Sequence, residues 1–123
     1  MAGTLVADVL QDGAGNSTAM DNAIYGSAKA WVNYKGTSTQ GIRGSYNVSS
    51  VTYVSTGNYT VNFTNALTDT NYSALATCNF EVDIGLPANT KTFATTSIQV
   101  SSYRPYPYNA YVDVTTMSVA VFR

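Results

Sequence analysis

From Tyr59 to Thr64 the side chains alternate without a break: Tyr59, Val61 and Phe63 are aromatic or apolar, while Thr60, Asn62 and Thr64 are polar. A period of two places the first set on one face of an extended strand and the second on the other. The same alternation recurs in AKAWVNY, where Ala28, Ala30, Val32 and Tyr34 oppose Trp31. It continues in NYSALATCNFEV, with Tyr72, Ala74, Ala76, Cys78 and Phe80 in phase, and returns in TFATTSIQVSSY, which carries Ile98 and Val100. Turn formers separate these runs: KGTSTQG, Thr56-Gly57-Asn58, NALTDTN and VDIGLPANTK. The short Gly-Asn link between IRGSYNVSSVTYV and YTVNFT predicts a hairpin. About seven to eight short strands at this spacing predict an all-β, antiparallel sandwich with no helix longer than a turn. In YVDVTTMSVAVFR the phase of Val112 and Val114 slips to Met117, Val119 and Val121, which predicts a β-bulge at Thr115–Thr116.

Composition agrees with that class. Ser, Thr and Asn supply turns and half-exposed strand positions, while the apolar 45% permits one core in a chain of 123 residues. The segment 1–25 stands apart as an N-terminal arm, leaving 26–123 for the sandwich. TLVADVL reads as one short strand and QDGAGNS as a break. Leu5, Val6, Val9 and Leu10 find no obvious cover within the arm. Such a strand must pair with the body of the domain or with another copy of the chain. They are therefore candidate attachment or oligomer residues.

Several chemistries are excluded at this level. Six basic and seven acidic residues leave a net charge of -1 with no basic run, which argues against nucleic-acid binding. No apolar run reaches the ~18 residues needed to span a bilayer, and no signal peptide is expected at the N-terminus. With no histidine and a single Cys78 that faces inward, the usual nucleophile triads and His-based metal sites are not expected. Glu81 and Asp83 lie two apart and read as a solvated strand end; a hard-cation site would need about six oxygens. Five Asn-x-Ser/Thr sequons start at Asn16, Asn47, Asn58, Asn62 and Asn71, and read as chance products of an Asn-rich chain. No enzyme, no cofactor and no metal are expected.

Two features remain for binding. Trp31 is read as filling the centre of the core or a subunit interface, ahead of a sugar-stacking platform. The stretch YRPYPYNAY puts four tyrosines into nine residues. Its Pro105 and Pro107 push Arg104 and Tyr106 towards extended, polyproline-II-like geometry, which would hold Tyr106 and Tyr108 outward. Tyr103, Arg104, Tyr106, Tyr108, Asn109 and Tyr111 form a candidate contact patch, because rigid tyrosines with an arginine are favoured at interfaces. The same tyrosines would alternatively pack on the domain's own end or against a neighbouring subunit.

AKAWVNY, IRGSYNVSSVT, GNYTVNFTNALTDTNY and the terminal SVAVFR, preceded by TLVADVLQDGAGN, resemble a small β domain of tailed-bacteriophage virion proteins. That domain is known mostly as the C-terminal module of tail-fibre-like, host-recognition proteins. The resemblance covers nearly the whole chain, although DIGLPANTK and SYRPYPYNAY lie outside its shared motifs. It implies a non-enzymatic, trimer-forming element of the virion, assembled in the bacterial host cytoplasm beside other phage virion proteins of tail or capsid. Its expected role is adhesion to host cell-surface polysaccharide; the alternative is a capsid decoration protein. Strands with both faces moderately apolar, such as Tyr72, Ala74 and Ala76 against Leu75, are in keeping with a homotrimer that buries the second face and the arm.

Overall fold

The computed structural model describes residues 3–81 and 84–123. In chain order the strands are β1 (Val9–Gln11), β2 (Ser17–Ala19), β3 (Ala28–Lys35), β4 (Gly41–Tyr46), β5 (Val48–Ser55) and β6 (Asn58–Phe63). They continue with β7 (Ser73–Glu81), β8 (Ile84–Leu86), β9 (Ala88–Phe93), β10 (Ser97–Arg104), β11 (Ala110–Tyr111) and β12 (Thr116–Phe122). One helix, α1 (Met20–Gly26), follows β2. The protein is mostly strand, and all its pairings among the described residues are antiparallel.

Two five-stranded sheets enclose one core. The first carries β5, β6, β10 and β9 side by side, with β11 on the far end of β10; the second has the order β4-β3-β12-β7-β8. The alternation read from the sequence sets which residues meet. Tyr59, Val61 and Phe63 with Ile98 and Val100 line the first sheet's inner face, and Ala30, Val32, Tyr34, Met117, Val119 and Val121 line the second's. Cys78 is buried beside them, and burial pushes its thiol pKa up, as expected of an inert core cysteine. Each such aliphatic side chain contributes roughly 1.5–3 kcal/mol on leaving water. Edge-to-face aromatic pairs stitch the layers together: Tyr34 to Tyr59 at 5.3 Å and Phe63 to Tyr72 at 6.1 Å between ring centres.

Among the described residues the strands number twelve rather than seven or eight, for local reasons. IRGSYNVSSVTYV is not one strand but two, because Asn47 takes a left-handed φ of 52° and sends β4 and β5 into different sheets. Asn47 then locks this corner. Its amide nitrogen donates to the carbonyls of Lys29 (3.0 Å) and Asn65 (3.2 Å), and its side-chain oxygen accepts from the Asn65 amide at 2.8 Å. The segment read as a loop behind β7 supplies two edge strands, β8 and β9, one for each sheet. The phase slip in the last segment is not a bulge at Thr115–Thr116. The chain leaves β11 in one sheet and enters β12 in the other, with Val114 fully buried at the crossing.

The arm also differs from expectation. β1 pairs with β2, so its backbone partner lies within the arm and not in the body. Asp12 makes the turn: its carboxylate accepts the amides of Ala14 and Asn16, both at 2.9 Å, and the Asn16 side-chain amide at 2.9 Å. α1 then runs for seven residues, more than the single turn expected, and only Ser27 separates it from β3.

Candidate functional site

The tyrosine-proline stretch grows out of β10 and returns through β11. Tyr103 opposes Tyr111 and Arg104 opposes Ala110, so it is a β-hairpin and not a polyproline II segment. Its turn is closed by the Tyr108 amide donating to the Pro105 carbonyl at 3.1 Å, the Tyr106–Pro107 bond being cis. Asn109, with φ at 45°, brings the chain back into β11.

The root of this hairpin is tied to the core. Gly57 accepts from the Ser102 amide through its carbonyl at 2.9 Å, and the Ser102 hydroxyl donates to the Val112 carbonyl at 2.6 Å. Asp113, which follows, gathers three groups from the β5–β6 hairpin. Its carboxylate accepts the Gly57 amide at 2.8 Å, the buried Tyr59 hydroxyl at 2.9 Å and the Tyr53 hydroxyl at 3.3 Å. Burial, reinforced by donation to this carboxylate, pushes the Tyr59 phenol pKa far up. Asp113 passes unnoticed in the sequence because its partners lie more than fifty residues away.

On the hairpin itself the rings and cations pair off. Tyr103 and Tyr111 meet edge to face at 5.4 Å. The Arg104 guanidinium sits 3.6 Å from the centre of the Tyr108 ring and 4.8 Å from that of Phe80, which it shares with the second sheet. Lys91 lies 5.5 Å from the Tyr111 ring while donating to the Asn58 side chain at 2.7 Å. Tyr106 stands alone at the tip, 86% exposed, with Tyr108 and Tyr111 half exposed beneath it. Arg104 is thus held flat against rings, and the tip offers apolar ring faces with phenol and amide edges. None of the residues from Pro105 to Tyr111 is acidic. Such a surface suits stacking and hydrogen bonding to a neutral polyhydroxylated ligand; it supplies no proton-transfer pair.

The remaining candidates lie elsewhere. Trp31 does not fill the core: it points outward from β3 and is 42% exposed, because its neighbours Ala30 and Val32 take the inward positions. Leu5, Val6, Val9 and Leu10 are all exposed on the arm. Asp83 lies outside the described residues, so its pairing with Glu81 has no structural account. The sequon asparagines have a structural use: the Asn62 amide donates to Ser50 and Thr52, and the Asn58 amide to Ser55 and the Thr56 carbonyl.

A groove of about 430 Å³ that sequence reading missed lies at the other end of the sandwich, lined by Lys29, Tyr46, Asn47, Asn65, Thr68 and Arg123 among others. Arg123 there grips Asp69 with two nitrogens at 2.9 and 2.6 Å, and this holds the Asp69 carboxyl below its ordinary value. The groove assembles from four separated segments, which no local motif announces. Among the described residues no helix is long and apolar enough to cross a membrane, and no three His, Cys, Asp or Glu side chains converge on a metal-sized site. Comparison with known protein families, curated proteins and solved structures finds no match.

Proposed function

We propose that the protein is a bacteriophage virion element, a homotrimeric tail-fibre or receptor-binding module that adheres to host surface polysaccharide and catalyses nothing. The observation that carries this reading is the molecule's polarity. The arm joins the sandwich at Ala28, beside Phe122 and Ser73, whereas the tyrosine hairpin rises beside Gly57 and Val112 at the opposite end. An eight-residue strand separates the two by about 26 Å. A holding end and a presenting end, set apart by a rigid frame, suit a protein fixed at one side that meets a ligand at the other. The exposed rings of Tyr106, Tyr108 and Tyr111 match the C–H faces of pyranoses, and several copies in one particle would multiply weak single contacts.

The test is Tyr106→Ala combined with Tyr108→Ala, assayed on an array of bacterial envelope polysaccharides and on whole virions. Binding should fall at least about tenfold, the equivalent of ~1.4 kcal/mol per site, with oligomer mass unchanged. Undiminished binding would remove the hairpin from adhesion. Immunogold labelling of particles separates this role from capsid decoration: label at the tail supports it, and label spread over the shell overturns it.

A further inference from the structure

We propose that the arm of one copy docks on the outer face of the β4-β3-β12-β7-β8 sheet of a second copy, making a head-to-tail contact. The inference rests on the self-associating part of the reading above. Its test needs no receptor, so the two fail separately.

The two outer faces of the sandwich differ in kind. That of the first sheet is polar: Asn58, Thr60, Asn62 and Gln99 point outward, and Asn62 is tied to its neighbours by hydrogen bonds. That of the second sheet carries an apolar row. Trp31 and Leu75 flank Ala120 in register on the central strands, and Tyr46 pairs beyond Trp31. Leu75 is 61% and Tyr46 59% exposed. Between Trp31 and Leu75 runs a shallow trough of about 430 Å³ floored by Ser118 and Ala120.

The arm holds what this trough lacks. Leu5, Val6, Val9 and Leu10 are exposed at 78, 90, 54 and 47%. Charge sorts the same way. Asp8, Asp12 and Asp21 lie in the arm, and all six basic residues follow it, from Lys29 onward. Three of those six belong to strands of the second sheet: Lys29 and Lys35 are on β3 at the positions that alternate outward with Trp31. The third, Arg43, lies across its outer face, donating to Asn33, Thr116 and the Thr115 carbonyl. Glu81, at the far end of β7, is the single acidic residue on the described strands of this sheet, so an acidic, leucine- and valine-bearing arm complements an aromatic trough whose sheet carries a basic excess.

Size permits it. Strands of six, eight, seven, nine and three residues, at about 3.3 Å per residue and about 4.8 Å spacing, present roughly 500 Å², so a contact covering this face buries about 1,000 Å² in total, the size a specific interface should reach. A contact between two different patches is heterologous, and closes into a ring when its rotation allows; a three-membered ring is the trimer.

Complementation tests the proposal. Val9→Glu with Leu10→Glu spoils the arm, and Trp31→Glu with Leu75→Glu spoils the face; Leu75→Ser is a milder face variant should the first unfold by circular dichroism. By light scattering the parent should be oligomeric and each variant monomeric. An equimolar mixture of the two variants should recover a two-chain species, since one intact arm then meets one intact face. Raising salt from about 0.1 to about 1 M, which shortens the screening length from about 10 to about 3 Å, should weaken the parent's association roughly five-fold. A monomeric parent overturns the proposal, as does an arm variant that stays oligomeric. A mixture that stays monomeric also overturns it.

Discussion

A methyl group on Gly57 would lie 2.7 Å from both the amide nitrogen and the carbonyl oxygen of Val112 and 2.8 Å from the Ser102 carbonyl, and the residue's φ is +66°. Backbone atoms cannot swing aside as a side-chain tip would, and a left-handed alanine is disfavoured by about 1–2 kcal/mol before any clash is counted. Gly57→Ala should therefore lower the stability to urea by at least about 2 kcal/mol. It should also loosen the root of the tyrosine hairpin, seen as a changed near-ultraviolet tyrosine spectrum. An unshifted urea midpoint would show that Gly57 tolerates a side chain and is no keystone. Of this cluster the sequence marks only the glycine, through the short link between two alternating runs. Asp113 carries no local signal: it sits between two valines in phase, and its meaning comes entirely from Tyr59, Tyr53 and Gly57 converging on it.

Elements were legible where one face is buried and the other is not. β3, β6, β7 and the buried half of β12 follow directly from period two, because a one-residue slip would turn every Val and Tyr to water. The segments misread as loops or single strands are those in which the chain changes sheets. At Asn47 the polar side chain, not a glycine or proline, makes the corner, and nothing in SYNVSS distinguishes it from a strand. Asn47→Ala removes four side-chain hydrogen bonds, three of them at 3.2 Å or less, and forces alanine into left-handed backbone. It should destabilise by about 4 kcal/mol, about 3 from the three shorter hydrogen bonds at about 1 each and about 1 from the left-handed backbone. Asn47→Gly, which keeps the backbone freedom, should be milder by about 1 kcal/mol. Equal losses in urea titrations would place the whole effect on the hydrogen bonds, and no loss in either would dismiss the corner. The tyrosine hairpin shows the opposite limit. Composition singles out its residues, while its shape depends on the Tyr103–Tyr111 pairing, which connects residues on either side of two prolines.

For the whole molecule, the core is unusually phenolic. Tyr34, Tyr59 and Tyr72 come from separate segments, and burial raises the pKa of each above the ordinary 10.0. The sign follows directly. Below pH 10 these phenols are protonated whether the chain is folded or not, and their contribution is fully present. As pH rises past that value the unfolded chain releases the protons first, so stability falls. The urea midpoint should stay level through neutral pH and decline above about pH 10, together with the rise of phenolate absorbance. Tyr59→Phe should make the decline shallower; an identical slope would assign alkaline unfolding to other groups.

The hairpin's roots and its tip answer to different demands. Gly57, Ser102 and Asp113 hold the roots, whereas the tip from Pro105 to Ala110 is exposed throughout. Its outermost ring, Tyr106, therefore adds little to the fold. Substitutions across these six exposed positions therefore leave the buried contacts of the root in place, and the frame can carry a different tip without rebuilding its core.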